Sequence, residues 1–114
     1  MPKRDPDLLI GDILTAIRKI QGYTAETNES LFRQDEKTID AVVRNLEIIG
    51  EAARHLPESL LERNQEIPWR QIAGMRNRIV HDYAGVDIEL VWQVIRYDLP
   101  KLKSQLEAIA MGEL

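Results

Sequence analysis

The sequence predicts an all-α fold: a bundle of four main helices plus a short one, in a single domain spanning residues 1–114. Three observations carry this. Apolar residues recur three and four apart from the first segment to the last. The apolar runs are opened or closed by capping and breaking residues, at Asp5-Pro6, Asp35, Pro57, Pro68 and Asp87. No stretch shows the sustained apolar–polar alternation of a half-buried strand. With 114 residues, 44% of them apolar and 30% charged, the chain can bury one core and is globular rather than disordered.

The first helix starts at Asp5-Pro6, where a side-chain acceptor precedes a proline whose missing N–H costs nothing in the first turn. Leu9, Ile13, Ile17 and Ile20 form its apolar stripe, and Gly22 is its expected stop. Residues 23–34 are polar and mixed and read as a loop leading loosely into the next helix. That helix starts at Glu36 behind an Asp35 cap. Its stripe is Ile39, Val42, Val43, Leu46, Ile49, Ala53 and Leu56, and Pro57 forces its end. Glu58–Asn64 reads as a short helix. Pro68 opens another, expected to run through Trp69, Ile72, Met75 and Ile79 to about His81. Gly85 breaks the pattern and Asp87 caps the last helix, which carries Leu90, Val91, Val94, Ile95, Leu102, Leu106 and Ile109. Pro100 lies inside it and is expected to kink it. Trp69 and Trp92 fall at helical positions suited to a core or interface rather than to base stacking.

Composition narrows the function. No apolar run is long enough to cross a bilayer, and residues 1–7 do not resemble a secretory signal. Cysteine is absent, so disulfides and thiolate metal sites are excluded, and the expected location is the cytoplasm. A metal site is not expected, because His55, the only other histidine, lies far from His81 in sequence. The net charge of −4 argues against coating nucleic acid through bulk electrostatics. Charge is nevertheless uneven: between Pro68 and His81 stand Arg70, Arg76, Arg78 and a histidine with no carboxylate until Asp82. That local basic patch can grip a few phosphates.

The octet Arg76-Asn77-Arg78-Ile79-Val80-His81-Asp82-Tyr83 is the candidate site. Arginine holds an anionic oxygen with forked hydrogen bonds, and histidine moves protons near neutral pH. On a continuous helix Arg76 and His81 would stand about 140° apart, whereas Asn77 and His81 would share a face, as would Arg76 and Tyr83. Joint use of Arg76 and His81 therefore requires the helix to end or distort near His81, or a wide groove. By spacing alone the pair is a weak signal, and a histidine at a helix end is explained by the helix dipole just as well.

A second polar feature lies on the 36–56 segment. Asp40, Arg44, Glu47 and Glu51 form a line at spacings of three and four, either a solvated face with weak ion pairs or the border of the same cleft as the octet. Gly50 interrupts a good helix at a cost of about 1 kcal/mol relative to alanine, which a close helix–helix approach would explain.

Taken together, Arg44-Asn45-Leu46-Glu47-Ile48-Ile49-Gly50-Glu51-Ala52-Ala53, then Ile67-Pro68-Trp69-Arg70, then Arg76-x4-His81-x-Tyr83 followed by Val86-Asp87, resemble the HepT-like toxins of the HEPN superfamily. The resemblance covers nearly the whole chain. It implies a HEPN-like helical bundle that dimerises, with the paired signatures lining a cleft at the interface. It also implies a metal-independent endoribonuclease, the toxin of a toxin–antitoxin pair, needing no cofactor. Its partners would be an RNA substrate and a minimal nucleotidyltransferase antitoxin, in a homodimer or a larger assembly with that antitoxin. Carried over by position, Arg76 and His81 match the catalytic pair, Asn77 the polar residue after the arginine, and Tyr83 the tyrosine that receives AMP. The charged line is not part of the signature, and its role stays open.

In the mechanism this implies, the RNA 2′-hydroxyl attacks the adjacent phosphate and leaves a cyclic phosphate. His81 serves as general acid or base, Arg76 stabilises the phosphoryl oxygens, and Asn77 orients the imidazole or bonds the substrate. The competing reading is a non-catalytic nucleotide- or partner-binding subunit of a nucleotidyltransferase complex. A plain structural dimer is the third.

Overall fold

The computed structural model describes residues 5–81 and 85–112. Helix α1 spans Pro6–Thr24, α2 Glu29–Gln34, α3 Glu36–Arg54, α4 Glu58–Arg63, α5 Trp69–Ala73 and α6 Met75–Ile79. Strands β1, Val80–His81, and β2, Gly85–Val86, follow. A last helical path comprises α7, Ile88–Gln93, a π-helical turn, Val94–Asp98, and α8, Leu99–Ala110. The all-α reading holds, and the predicted caps act as expected. Asp5 accepts from the Asp7 amide, Asp35 from Thr38 and Asp87 from Leu90. Asp35 also accepts the Thr38 hydroxyl at 2.6 Å, and these two bonds to its charged form hold its carboxyl below the ordinary aspartate value.

Helices α1 and α3 make the most extensive contact, with α8 against α1 and α5–α6 against α3. The predicted stripes meet in the core. Ile13, Ile17 and Ile20 of α1, Val42, Leu46 and Ile49 of α3, Ile79 of α6 and Leu106 of α8 are fully buried. Burying each such side chain removes it from water at a gain of about 1.5–3 kcal/mol, which holds the bundle against chain entropy. Trp69 is buried, its indole N–H donating to the Asn64 carbonyl, and Trp92 packs on Phe32 with ring centroids 5.3 Å apart. Among the described residues no helix is long and apolar enough to cross a membrane.

The structure differs from the sequence reading at several places. Gly22 does not stop α1, which runs to Thr24, whose hydroxyl bonds back to the Ile20 carbonyl. The 23–34 segment contains α2, started by Asn28, whose side chain accepts from Leu31, and held by buried Phe32. The α3 helix ends at Arg54, before Leu56 and Pro57. The expected helix from Pro68 to His81 is broken at Gly74 and finished at Ile79. Beyond it Val80 turns extended (φ −111°, ψ 123°). A two-residue antiparallel pairing then joins Val80 to Val86 and His81 to Gly85, a bridge too short to leave a period-two signal. Gly85 adopts φ +79°, which most side chains avoid. Pro100 is accommodated by the wider turn before it, where the Leu99 amide donates to Val94 five residues back.

Candidate active-site groove

Helix α3 and the α5–α6 break build an open groove of about 360 Å³. Arg44, Glu47, Ile48, Gly50, Glu51 and Arg54 line it from α3, and Ala73 and Arg76 from the opposite side. Most of the charged line foreseen on α3 therefore borders the same cleft as the first residue of the octet. Asp40, one turn earlier, lies outside the lining.

Gly50 explains how the two sides come so close. A Cβ built on it would stand 3.1 Å from the Ile72 carbonyl oxygen and 3.3 Å from that of Ala73. A side chain at this position would push the α5 end away by a few tenths of an ångström, and glycine allows the closer approach. At the same point the Arg54 Nε–H donates to the Ala73 carbonyl at 3.2 Å, bonding a backbone oxygen at the break between the two helices. Gly50→Ala is therefore expected to destabilise the protein by about 1 kcal/mol despite better helix propensity. Overpacking against backbone costs about 1–3 kcal/mol and no rotamer relieves it. A lower denaturation midpoint in urea with an unchanged slope checks this.

Arg76, in the first turn of α6, is exposed and its Nε stands 3.5 Å from Glu47 Oε1. The side chains are 60% and 43% accessible, so this pair contributes roughly a few tenths of a kcal/mol to stability. In this arrangement Glu47 stands on the Nε side of the guanidinium. With the carboxylate at Nε, the two terminal nitrogens remain a fork for an anionic ligand. Asn77 follows on α6 and is exposed. Because α6 stops at Ile79, Asn77 and His81 do not share a helical face, and no hydrogen bond joins them among the described residues.

His81 is exposed on β1, two residues past the helix end. Its position is fixed by the backbone. Beyond the pairing to Gly85, the Asp87 amide donates to the Ile79 carbonyl at 2.7 Å. The ending that joint use of Arg76 and His81 requires is thus present, through a strand rather than through Gly85 alone. His81 is not among the groove-lining residues. Tyr83 lies outside the described residues.

Sequence reasoning missed Arg54, Ala73 and the Gly74 break. The one available signal was Gly74 itself, a second glycine directly after the Ile72–Ala73 segment that Gly50 approaches. Among the described residues, no three His, Asp or Glu side chains cluster as metal ligands would.

Comparison with known proteins places the chain in a family. The family described as HepT-like ribonuclease matches residues 13–109. A protein of Thermococcus cleftensis, provisionally named ribonuclease HepT, is 40% identical over 107 residues, covering 94% of this chain and 97% of its own. One from Methanocaldococcus jannaschii, provisionally named an RNase, is 37% identical over 109 residues, covering 96% and 94%. Another so named, from Caldanaerobacter subterraneus, is 37% identical over 97 residues, covering 85% and 83%. No solved structure is significantly similar to the chain.

Proposed function

The chain belongs to the HepT-like ribonuclease family, and from that premise we propose that it is the toxin of a toxin–antitoxin pair, a cytoplasmic, metal-independent endoribonuclease. Arg76 and His81 perform the cleavage, and AMP transfer to Tyr83 by a nucleotidyltransferase antitoxin silences it. One observation carries the reading: the helix bearing Arg76 ends at Ile79, so His81 is freed from the helical geometry that would set the two groups apart.

The RNA 2′-oxygen attacks the neighbouring phosphorus, and the bond to the 5′-oxygen of the next nucleotide breaks. The products are a 2′,3′-cyclic phosphate and a free 5′-hydroxyl. His81 moves a proton, taking it from the 2′-hydroxyl or giving it to the leaving oxygen. Arg76 meets the charge that grows on the non-bridging oxygens, with the fork that its Glu47 contact leaves open. Asn77, exposed next to Arg76, contributes a substrate hydrogen bond rather than orienting the imidazole in this reading. Two copies related by a two-fold axis would bring two such edges together across one cleft.

Produced alone in a bacterial host, the chain is expected to arrest growth, and Arg76→Ala to relieve the arrest. Purified, it is expected to cleave RNA in the presence of EDTA. Unimpaired growth together with intact RNA would favour the binding-subunit reading instead.

A further inference from the structure

Three arginines border the α3 groove, and the cleavage reading uses only Arg76. Arg44, Glu47, Glu51 and Arg54 follow at steps of three, four and three residues, on one face of α3. The two carboxylates are already engaged. Glu47 faces Arg76, and Glu51 stands 3.1 Å from the Nε2 of His55. The arginines are less committed. Arg54 uses its Nε–H on the Ala73 carbonyl, which leaves its four terminal N–H donors. Arg44 is exposed, with no carboxylate at ion-pair distance among the described residues. Among the described residues the groove thus presents free cationic donors toward both ends, with Arg76 facing Glu47 between them. On a helix, positions 44 and 54 lie about 15 Å apart, the length of a few nucleotides. Ile48, on the groove wall and partly exposed, offers a base an apolar surface between them.

We infer that this face of α3 is a strand-tracking subsite, where Arg44 and Arg54 hold RNA phosphates on either side of the one that Arg76 engages. The ligand it prefers is a single strand several nucleotides long, not a mononucleotide. The inference rests on the cleavage reading for which phosphate is central, but the track itself is a matter of binding.

The test uses the full chain carrying His81→Ala, so that RNA survives the measurement. Binding of a labelled single-stranded hexamer and of a dinucleotide is followed by fluorescence anisotropy over a potassium chloride series. Arg44→Gln and Arg54→Gln are each expected to flatten the slope of log affinity against log salt by roughly 0.7 and to weaken the hexamer about three-fold or more. The dinucleotide, too short to reach both ends, is expected to lose less. Arg54→Lys, which keeps the charge, is expected to restore the slope even if the Ala73 contact is lost, separating charge from packing.

Unchanged slopes in both glutamine variants would overturn the track. So would equal losses for hexamer and dinucleotide, AMP competing as well as unlabelled hexamer, or no RNA binding at all. Loss of binding to a partner protein with RNA slopes intact would likewise overturn it, assigning the face to that partner. Falling slopes alongside a wild-type chain that leaves RNA uncut would uphold the track and reject the cleavage reading. Cleavage with unchanged slopes would do the reverse.

Discussion

His81→Ala is expected to lower RNA cleavage by about 10²–10⁴-fold, the range lost when a positioned proton-transfer group is removed. The variant is expected to melt with the parent. His81 is exposed, and the pairing that holds it uses its backbone, which alanine keeps. A rate loss without a stability loss therefore reports chemistry. Arg76→Ala is expected to cost about 10²–10³-fold through lost stabilisation of the phosphoryl oxygens, and Arg76→Lys to recover only part, because an ammonium lacks the planar fork. If the two groups act in one step, the double variant falls far short of the product of the single losses. Rates come from a quenched-fluorophore RNA under single-turnover conditions. Cleavage undiminished in His81→Ala would remove the histidine from the mechanism.

How the sequence announced this arrangement differs from part to part. The stripes of α1 and α3 were legible because each is long enough for a 3.6-residue period to show, and their caps use Asp side chains whose role is local. Gly50 was legible as a helix residue without a local reason, and the structure supplies the distant one in the carbonyls of Ile72 and Ala73. The α5–α6 break was hidden because Trp69, Ile72, Met75 and Ile79 keep helical spacing across Gly74, and all four stay buried. Periodicity records which face is buried, not whether the backbone between buried residues stays helical. The same blindness hid the strand at His81, since a two-residue bridge satisfies hydrogen bonds without repeating anything. The Arg54 contact with Ala73 spans nineteen residues and depends on that break, so nothing local foretold it.

The off-switch gives the second large expectation. In the proposed reaction the Tyr83 phenol oxygen attacks the α-phosphorus of ATP. A phosphodiester to AMP forms, pyrophosphate leaves, and the phenol gives up its proton. Tyr83→Phe lacks the attacking oxygen, so incubation with the antitoxin and ATP is expected to add no mass, whereas the parent chain gains one adenylate. The variant should cleave RNA about as well as the unmodified parent, since the proposed cleavage step does not use the hydroxyl. Its cleavage should also survive antitoxin and ATP, while the parent loses most of its activity. Charge and bulk are the two physical routes by which the adenylate would silence the site. In the proposed reaction the added phosphodiester brings a negative charge and a nucleoside to a position seven residues along the sequence from Arg76, and it would compete for the fork that Glu47 leaves open and repel an approaching RNA phosphate. Repulsion of this kind is screened by salt, whereas blockage by the nucleoside's bulk is not. Residual cleavage by the modified chain that rises with ionic strength would assign the silencing to charge. Residual cleavage that is flat with salt would assign it to bulk, and adenylate found on Tyr83→Phe would move the switch to another residue.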